Sequence, residues 1–456
     1  MKQLPFPLTK FLNILVVLLP FLGCWILYYE PRTLTANSRQ VSVLVMFAFC
    51  VSYYYFCHVL DGFRTSILRI GEIIMSQALA ALIVDAGMFV LIWMLSIHFP
   101  NPLPGLGALI VQCGLIAIWA RAAHRWYFRA HQALRTVVVY DVRQGMEDVI
   151  RAYGMEKRFD VRVTYAVEEA LEDLDRLSGM EAVFLCGIHS HERNILLKHC
   201  TYNGIKLYII PRIGDVMMSG AERMHMFHLP ILRSQRQNAP VEYQIVKRCF
   251  DILCSGLALI LFSPLMLIAA VAVRRDGGPA LYKQVRLTRD GKPFEILKFR
   301  SMRVDAEQYT GAVLSAGEDD PRVTKVGRIL RACRLDELPQ FINILKGEMS
   351  VVGPRPERPE IAAEYEKDLP EFKLRLQVKA GLTGYAQVYG KYNTTPYDKL
   401  LMDLMYIARP SILEDLGIIL ATLKILISKE STEGFGEERA AMKYAERRKQ
   451  PPDKSA

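Results

Sequence analysis

The chain has 456 residues, enough for two or three domains, and its 51% hydrophobic content argues against an ordinary soluble enzyme and for several membrane segments. A net charge of +10 suits a protein resting on anionic lipid and handling anionic substrates. Zinc-finger spacing and aromatic–basic RNA signatures are absent, so no nucleic acid is expected, and the nine cysteines form no CxxC pair, as in reduced or lipid-buried thiols.

Residues 11–29, 41–60 and 103–120 carry no charge, and 73–98 carries one, Asp85. At about 1.5 Å rise per residue each can cross a hydrocarbon core of roughly 30 Å. A cleaved signal peptide would not be followed by three more spans, so the first is expected to stay. Residues 1–130 therefore read as a four-helix transmembrane bundle. Lys2 and Lys10 precede it, Arg64 and Arg69 lie between spans two and three, and Arg121, Arg125, Arg129 and Arg135 follow span four. Arg32 and Arg39 in the first outer loop blur the contrast, but the balance puts both ends in the cytoplasm. Asp85 is either a functional intramembrane acid or, as favoured here, bonded across helices to Ser76 or Gln77.

Over residues 136–235 short apolar runs at 137–140, 161–164, 182–186 and 206–210 alternate with polar helical stretches. That alternation predicts a Rossmann-like α/β module with a small parallel sheet. The turn after the first run holds a lone Gly145 rather than a GxGxxG, so the module reads as architectural or regulatory, with nucleotide binding the lesser option. His189, His191 and His199 lack zinc-site spacing and read as solvated surface.

Residues 252–273 are uncharged and long enough to span. Lys247 and Arg248 precede them and Arg274 and Arg275 follow, so both ends favour the cytoplasm, and Ser263-Pro264 falls mid-way. Proline removes a backbone donor, and a serine hydroxyl can satisfy the carbonyl it frees. A re-entrant helix over 249–273, broken at Ser263 and Pro264, meets both observations. An ordinary kinked span would place everything downstream outside the cell.

Farther on, Lys298 and Arg300 alternate with apolar residues as on a strand with one basic face, and Arg322 lies in a basic run leading to a helix that ends near Arg331 and Arg334. Asp336 and Glu337 come next, with Pro339 suited to the first turn of a new helix. A helix start favours a carboxylate or a bound phosphate. Adjacent residues point about 100° apart, so one carboxylate can face a phosphorus while the other holds magnesium, which takes one or two carboxylates plus substrate phosphates. Plain N-terminal capping is the alternative, and the surrounding cations tilt against it. Arg355, stiffened between two prolines, presents a preset fork to phosphate oxygens.

From about residue 246 to 428 the chain closely resembles the sugar transferase domain of bacterial polyprenyl-phosphate glycosyl-1-phosphate transferases. The matching runs are Lys247-Arg248 with Asp251, KFRSM, DPR-VTKVGR, LDELPQ, LKGEMSVVGPRPE and AGLTGYAQVYGK. The bundle and α/β module look like the long form of that family. The resemblance implies a C-terminal monotopic catalytic domain over 240–430 with its re-entrant helix, at the cytoplasmic face of the bacterial inner membrane. It implies a ping-pong reaction in which Asp336 attacks the β-phosphorus of a UDP-sugar, expels UMP, and passes the sugar phosphate to polyprenyl phosphate, the first membrane step of exopolysaccharide, capsule or O-antigen synthesis. Glu337 would hold Mg2+, Arg355 phosphate, with Lys298, Arg300 and Arg322 assisting, and the long form implies a homodimer.

Arg334 stands where many members have serine, and Tyr385 and Lys391 where many have Trp and Arg, which leaves the sugar open. Residues 431–456 are charged and expected to be disordered, and 412–427 suits either the membrane interface or a core. A membrane-bound nucleotide-sugar dehydratase or epimerase is the rival enzyme. It needs a glycine fingerprint and a helical Tyr-x-x-x-Lys, and Tyr202…Lys206 is interrupted by Gly204. A non-catalytic assembly scaffold would leave the acidic pair and its cations unexplained.

Overall fold

The computed structural model describes residues 6–34, 38–234, 236, 239–303, 322–390, 394–427 and 443–444. Its contacts separate residues 1–210 from 211–441 as two compact units.

In the first unit lie α1 (Phe6–Cys24), α2 (Arg39–Val59), α3 (Ile70–Leu95) and α4 (Leu103–Ala130). A π-turn and a 3-10 turn carry α1 on to Arg32. All four helices are long and apolar enough to cross a membrane. α1 packs on α2 and α4, and α3 on the same two. Polar side chains fasten them where a lipid core offers no water. Asn13 donates to Gln77 Oε1 at 3.1 Å, Gln77 to the Gly62 carbonyl at 2.8 Å, and Gln112 to the Val17 carbonyl at 3.1 Å. The expected bonds from Asp85 to Ser76 or Gln77 do not form. Ser76 lies nine residues back on the same helix, about 13.5 Å along its axis, and Gln77 is bonded to Asn13 and Gly62. Both carboxylate oxygens of Asp85 and the Ser76 hydroxyl are buried without a hydrogen-bond partner among the described residues.

The α/β part follows as β1 (Leu134–Tyr140), β2 (Arg143–Gln144), α5 (Met146–Ala152), β3 (Phe159–Ala166), α6 (Val167–Glu172), β4 (Ala182–Cys186), α7 (Ser190–Tyr202) and β5 (Lys206–Ile210). The sheet order is β3-β1-β4-β5, all parallel, as the alternating pattern predicts. The central strands β1 and β4 are buried apolar runs because both faces of the sheet are covered there, whereas the edge strand β3 keeps Asp160, Arg162 and Thr164 among its apolar residues. Val137, Val139 and Leu185 pack on one side, and Val138, Phe159 and Phe184 on the other. His189 approaches Asp141 at 3.5 Å, and no group of three metal-ligating side chains occurs among the described residues. Lys443–Tyr444 pairs with β2; the rest of 431–456 lies outside the described residues.

The module was expected to run to residue 235, but the first unit's main stretch of chain stops at Ile210, its remaining part being 442–456. α8 (Ile213–Ser219) belongs to the second unit because Val216 is buried there beside Ile344, Phe372 and Leu404. Then come the hairpin β6 (Glu222–Met226) and β7 (Leu229–Arg233), α9 (Val241–Arg275), the antiparallel pair β8 (Leu281–Leu287) and β9 (Pro293–Phe299), α10 (Lys325–Ala332), α11 (Gln340–Lys346) and β10 (Ser350–Val352). α12 (Pro359–Asp368), β11 (Gly381–Thr383), α13 (Tyr385–Tyr389), α14 (Pro396–Ala408) and α15 (Ile412–Ile427) complete it. β10 and β11 are parallel and so close that a Cβ on Gly381 would sit 2.1 Å from the Gly353 nitrogen, so these positions accept no side chain. α15 has the core face expected as one option for residues 412–427, and it also leaves an apolar residue exposed. Ile418 is buried in the core while Leu413 is 63% exposed.

The break expected at Ser263 and Pro264 does not interrupt the helix: α9 runs on through Pro264, because a neighbouring side chain replaces the bond that the proline loses. The proline cannot donate to the Ile260 carbonyl four residues back. Ser263 Oγ donates to that same oxygen at 2.8 Å. Both ends of the apolar stretch are fastened to the second unit. At the start, Asp251 accepts from Ser350 Oγ at 3.0 Å and the Val351 N–H at 2.9 Å, and Arg248 donates to the Ile344 and Leu345 carbonyls, each at 2.7 Å. At the far end, Ala269 and Val273 pack with Phe299 and Leu330. Between them Leu257, Ile260, Leu261 and Leu267 are all exposed.

Candidate active site

The acidic pair sits one step earlier than a helix start. Leu335–Glu337 is a 3-10 turn, entered from Arg334 in the left-handed region at φ 55°, and Pro339 caps the following α11. The sharp reversal at Arg334 separates this turn from α10. Asn343 on α11 then fixes the helix against β9. Its Oδ1 accepts from the Leu297 N–H at 3.0 Å and its Nδ2 donates to the Glu295 carbonyl at 2.8 Å. This stitch sets Glu337 opposite Lys298.

Lys298 Nζ donates to Glu337 Oε1 at 3.0 Å, and Arg355 Nη2 donates to the same oxygen at 3.1 Å. Burial alone would push the Glu337 carboxyl up, but the two cations outweigh it and hold it well below the usual carboxylate range. Asp336 differs. It is buried, accepts no such pair, and is pushed above its ordinary value by desolvation and by the Glu337 charge, against the pull of Lys298, Arg331 and Arg334. Two adjacent carboxylates are thus driven apart in basicity by their surroundings, the arrangement in which one group does chemistry and the other organises charge. Arg355 is the outermost member, with a side chain 41% exposed and its charge reinforced by Glu337.

Of the remaining predicted residues, Arg300 is placed elsewhere. The basic-face reading required β9 to continue through it, but the strand ends at Phe299 and the alternation ends there too. Its guanidinium donates to the Pro279 and Val273 carbonyls, each at 3.0 Å, and to the Gly277 carbonyl, capping the C-terminus of α9. Arg300→Ala should therefore lower thermal stability by about 1–3 kcal/mol, the cost of stranding buried acceptors. Substrate affinity should be unchanged, and a melting curve beside a donor titration checks both. Arg322 lies beside the Met302–Val323 bridge, its carbonyl accepting from the Arg303 N–H at 3.0 Å. Asp320 and Pro321 of the same motif are outside the described residues, as is Lys391.

Sequence reasoning passed over Arg375 and Asp403. They form an ion pair at 2.7 Å with side chains only 3% and 1% exposed. The available signal was an acid amid the apolar face of α14, in the run LLMDLMYIA. Magnesium suits the donor set of the acidic pair, since hard carboxylate oxygens in ones or twos, completed by water and phosphate, are what it takes. A transition-metal site with three protein ligands finds no match among the described residues.

The bacterial sugar transferase family model matches residues 242–429. A UDP-glucose:undecaprenyl-phosphate glucose-1-phosphate transferase of Caulobacter vibrioides is 41% identical over 197 residues, 42% of this chain and 73% of that protein. The chain belongs to the bacterial sugar transferase family. It is also similar to an undecaprenyl-phosphate galactose phosphotransferase of Salmonella typhimurium, 33% identical over 258 residues, 53% of this chain and 52% of the relative. An N-acetylgalactosaminephosphotransferase of Aeromonas hydrophila, named for UDP-N-acetylgalactosamine and undecaprenyl phosphate, is 36% identical over 244 residues, 53% of this chain and 55% of the relative. The chain spans about half the length of these last two relatives. The family match covers α9, both predicted acids, Lys298, Arg355 and the Arg375–Asp403 pair.

Proposed function

We propose that this protein transfers a sugar 1-phosphate from a UDP-sugar to polyprenyl phosphate and releases UMP. The observation that carries the reading is the split acidic pair, a desolvated Asp336 of raised basicity beside a Glu337 locked between Lys298 and Arg355. Asp336 Oδ attacks the β-phosphorus, a P–O bond forms, and the bond from that phosphorus to the oxygen bridging it to UMP breaks. A polyprenyl phosphate oxygen then attacks the same phosphorus, and the Asp336 carboxylate departs. Covalent catalysis of this kind divides one difficult transfer into two easier steps. Arg355 and Lys298 face the developing phosphoryl charge, and Arg355, being the exposed one, meets the substrate first. Glu337, with Asp336 beside it, would hold magnesium, which supplies charge neutralisation at the diphosphate.

The reading places the second unit on the cytoplasmic face of the inner membrane, where UDP-sugars are found. The attachment of both ends of the apolar stretch of α9 to one folded unit supports a helix held at one leaflet, and its dip and return would need a bend, for which Pro264 is the candidate. The test is purified protein in lipid nanodiscs with polyprenyl phosphate, magnesium and a panel of radiolabelled UDP-sugars. UMP release matched by a labelled lipid product is expected for one or a few donors. Conversion of the sugar with bound NAD and no UMP would favour the dehydratase reading instead.

A further inference from the structure

The segment Pro354-Arg355-Pro356-Glu357 has its carbonyls and its acid gripped from behind. Arg375 Nη2 donates to the Arg355 carbonyl at 2.8 Å, and Arg286 Nη1 to the Pro356 carbonyl at 3.2 Å. The Glu357 carbonyl accepts from the Leu287 N–H at 3.0 Å, and its side chain lies 3.6 Å from both Arg375 Nη1 and Lys399 Nζ. Arg375 is itself fixed by Asp403, which accepts from its Nε at 2.9 Å.

Two charges so deeply buried are an expensive way to hold a core together. Apolar residues of similar volume are commonly as stable or more so. What apolar residues cannot do is set one edge of a rigid fork, Nε and Nη2, on a carboxylate while the same Nη2 also donates to a main-chain oxygen. We propose that Arg375, oriented by Asp403, is a positioning residue that sets the main chain of Arg355 and so aims its guanidinium at Glu337 and the substrate diphosphate. This rests on the reading of Arg355 as a phosphate-binding group. Lysine at 375 keeps the charge but loses the fork. A misplacement of about 1 Å at a reacting group can cost roughly 10²-fold in rate.

The experiment is a double-mutant cycle in nanodiscs, read as kcat/KM for the UDP-sugar donor. Arg375→Lys should lower kcat/KM by about 10–100-fold, chiefly through the donor and not the lipid acceptor. In an Arg355→Ala background it should cost less than about threefold more, because the residue it positions is gone. An equal loss in both backgrounds would show that Arg375 acts by another route. No loss from Arg355→Ala alone would instead overturn the phosphate-binding reading, and the inference with it. The apolar pair Arg375→Met with Asp403→Leu guards against misfolding. It should melt near the parent temperature yet show the same donor defect, and full activity in that folded variant would refute the proposal.

Discussion

Asp336→Asn should abolish UMP release, by at least about 10³-fold, while making the protein more stable. The two halves of this result have one cause. Desolvation and the Glu337 charge raise the Asp336 carboxyl above its unfolded value, so the folded state binds its proton more tightly than the unfolded state. Stability therefore falls as pH rises from the ordinary aspartate range near about 3.9 through the raised value, and at neutral pH the ionised carboxylate weighs against folding. Asparagine removes that charge and the proposed nucleophile together. A poorly solvated, more basic carboxylate is also the better nucleophile, so the same burial that costs stability favours attack on phosphorus. In the parent protein, donor kcat/KM should fall on acidification with an apparent pKa above that of a free aspartate. Transfer surviving within tenfold in Asp336→Asn would end the covalent mechanism, and a lower melting temperature would contradict the electrostatic account of the site.

Much of this arrangement was legible because it obeys local rules. The parallel sheet appears at the expected positions, most plainly in the central strands β1 and β4, since strands covered on both faces leave little room for polar residues. Ser263 beside Pro264 announced which carbonyl would need a donor, and the hydroxyl fills that need. Lys298, within β9, does sit on the strand read from the alternation, where it meets Glu337. Arg300 was misread because a strand boundary one residue earlier cannot be seen in an alternating pattern. The left-handed Arg334 that detaches the acidic turn from α10 was equally hidden, because nothing in an arginine side chain marks a positive φ. Arg375 and Asp403, 28 residues apart, each look like surface charge until the fold buries them together. Long-range ion pairs carry no periodicity, and the acid amid the apolar face of α14 was the sole local trace of this one.

Glu337→Gln should fail in the opposite manner, losing stability as well as activity. Lys298 and Arg355 both donate to Glu337 Oε1, so neutralising the acid leaves two cations facing each other without their nearest counter-charge. Breaking a buried pair costs about 3–5 kcal/mol; the lower end applies here, because Arg355 is 41% exposed and water screens it. The pH dependence identifies the cause. The folded-state pKa of Glu337 is depressed, so its contribution is complete above the ordinary glutamate range near about 4.3 and declines as pH falls toward the depressed value. Parent and variant melting temperatures should therefore differ most at neutral pH and converge in acid. Asp336→Asn should show the reverse trend against the parent, its advantage shrinking as Asp336 is protonated. Opposite slopes from neighbouring carboxylates would follow only from surroundings that drive one to stay charged and the other to take up a proton. Parallel slopes would mean that Asp336 is simply a second member of the ion cluster, stabilised by Lys298 rather than held out of it, and the division of labour between nucleophile and charge organiser would fall with it.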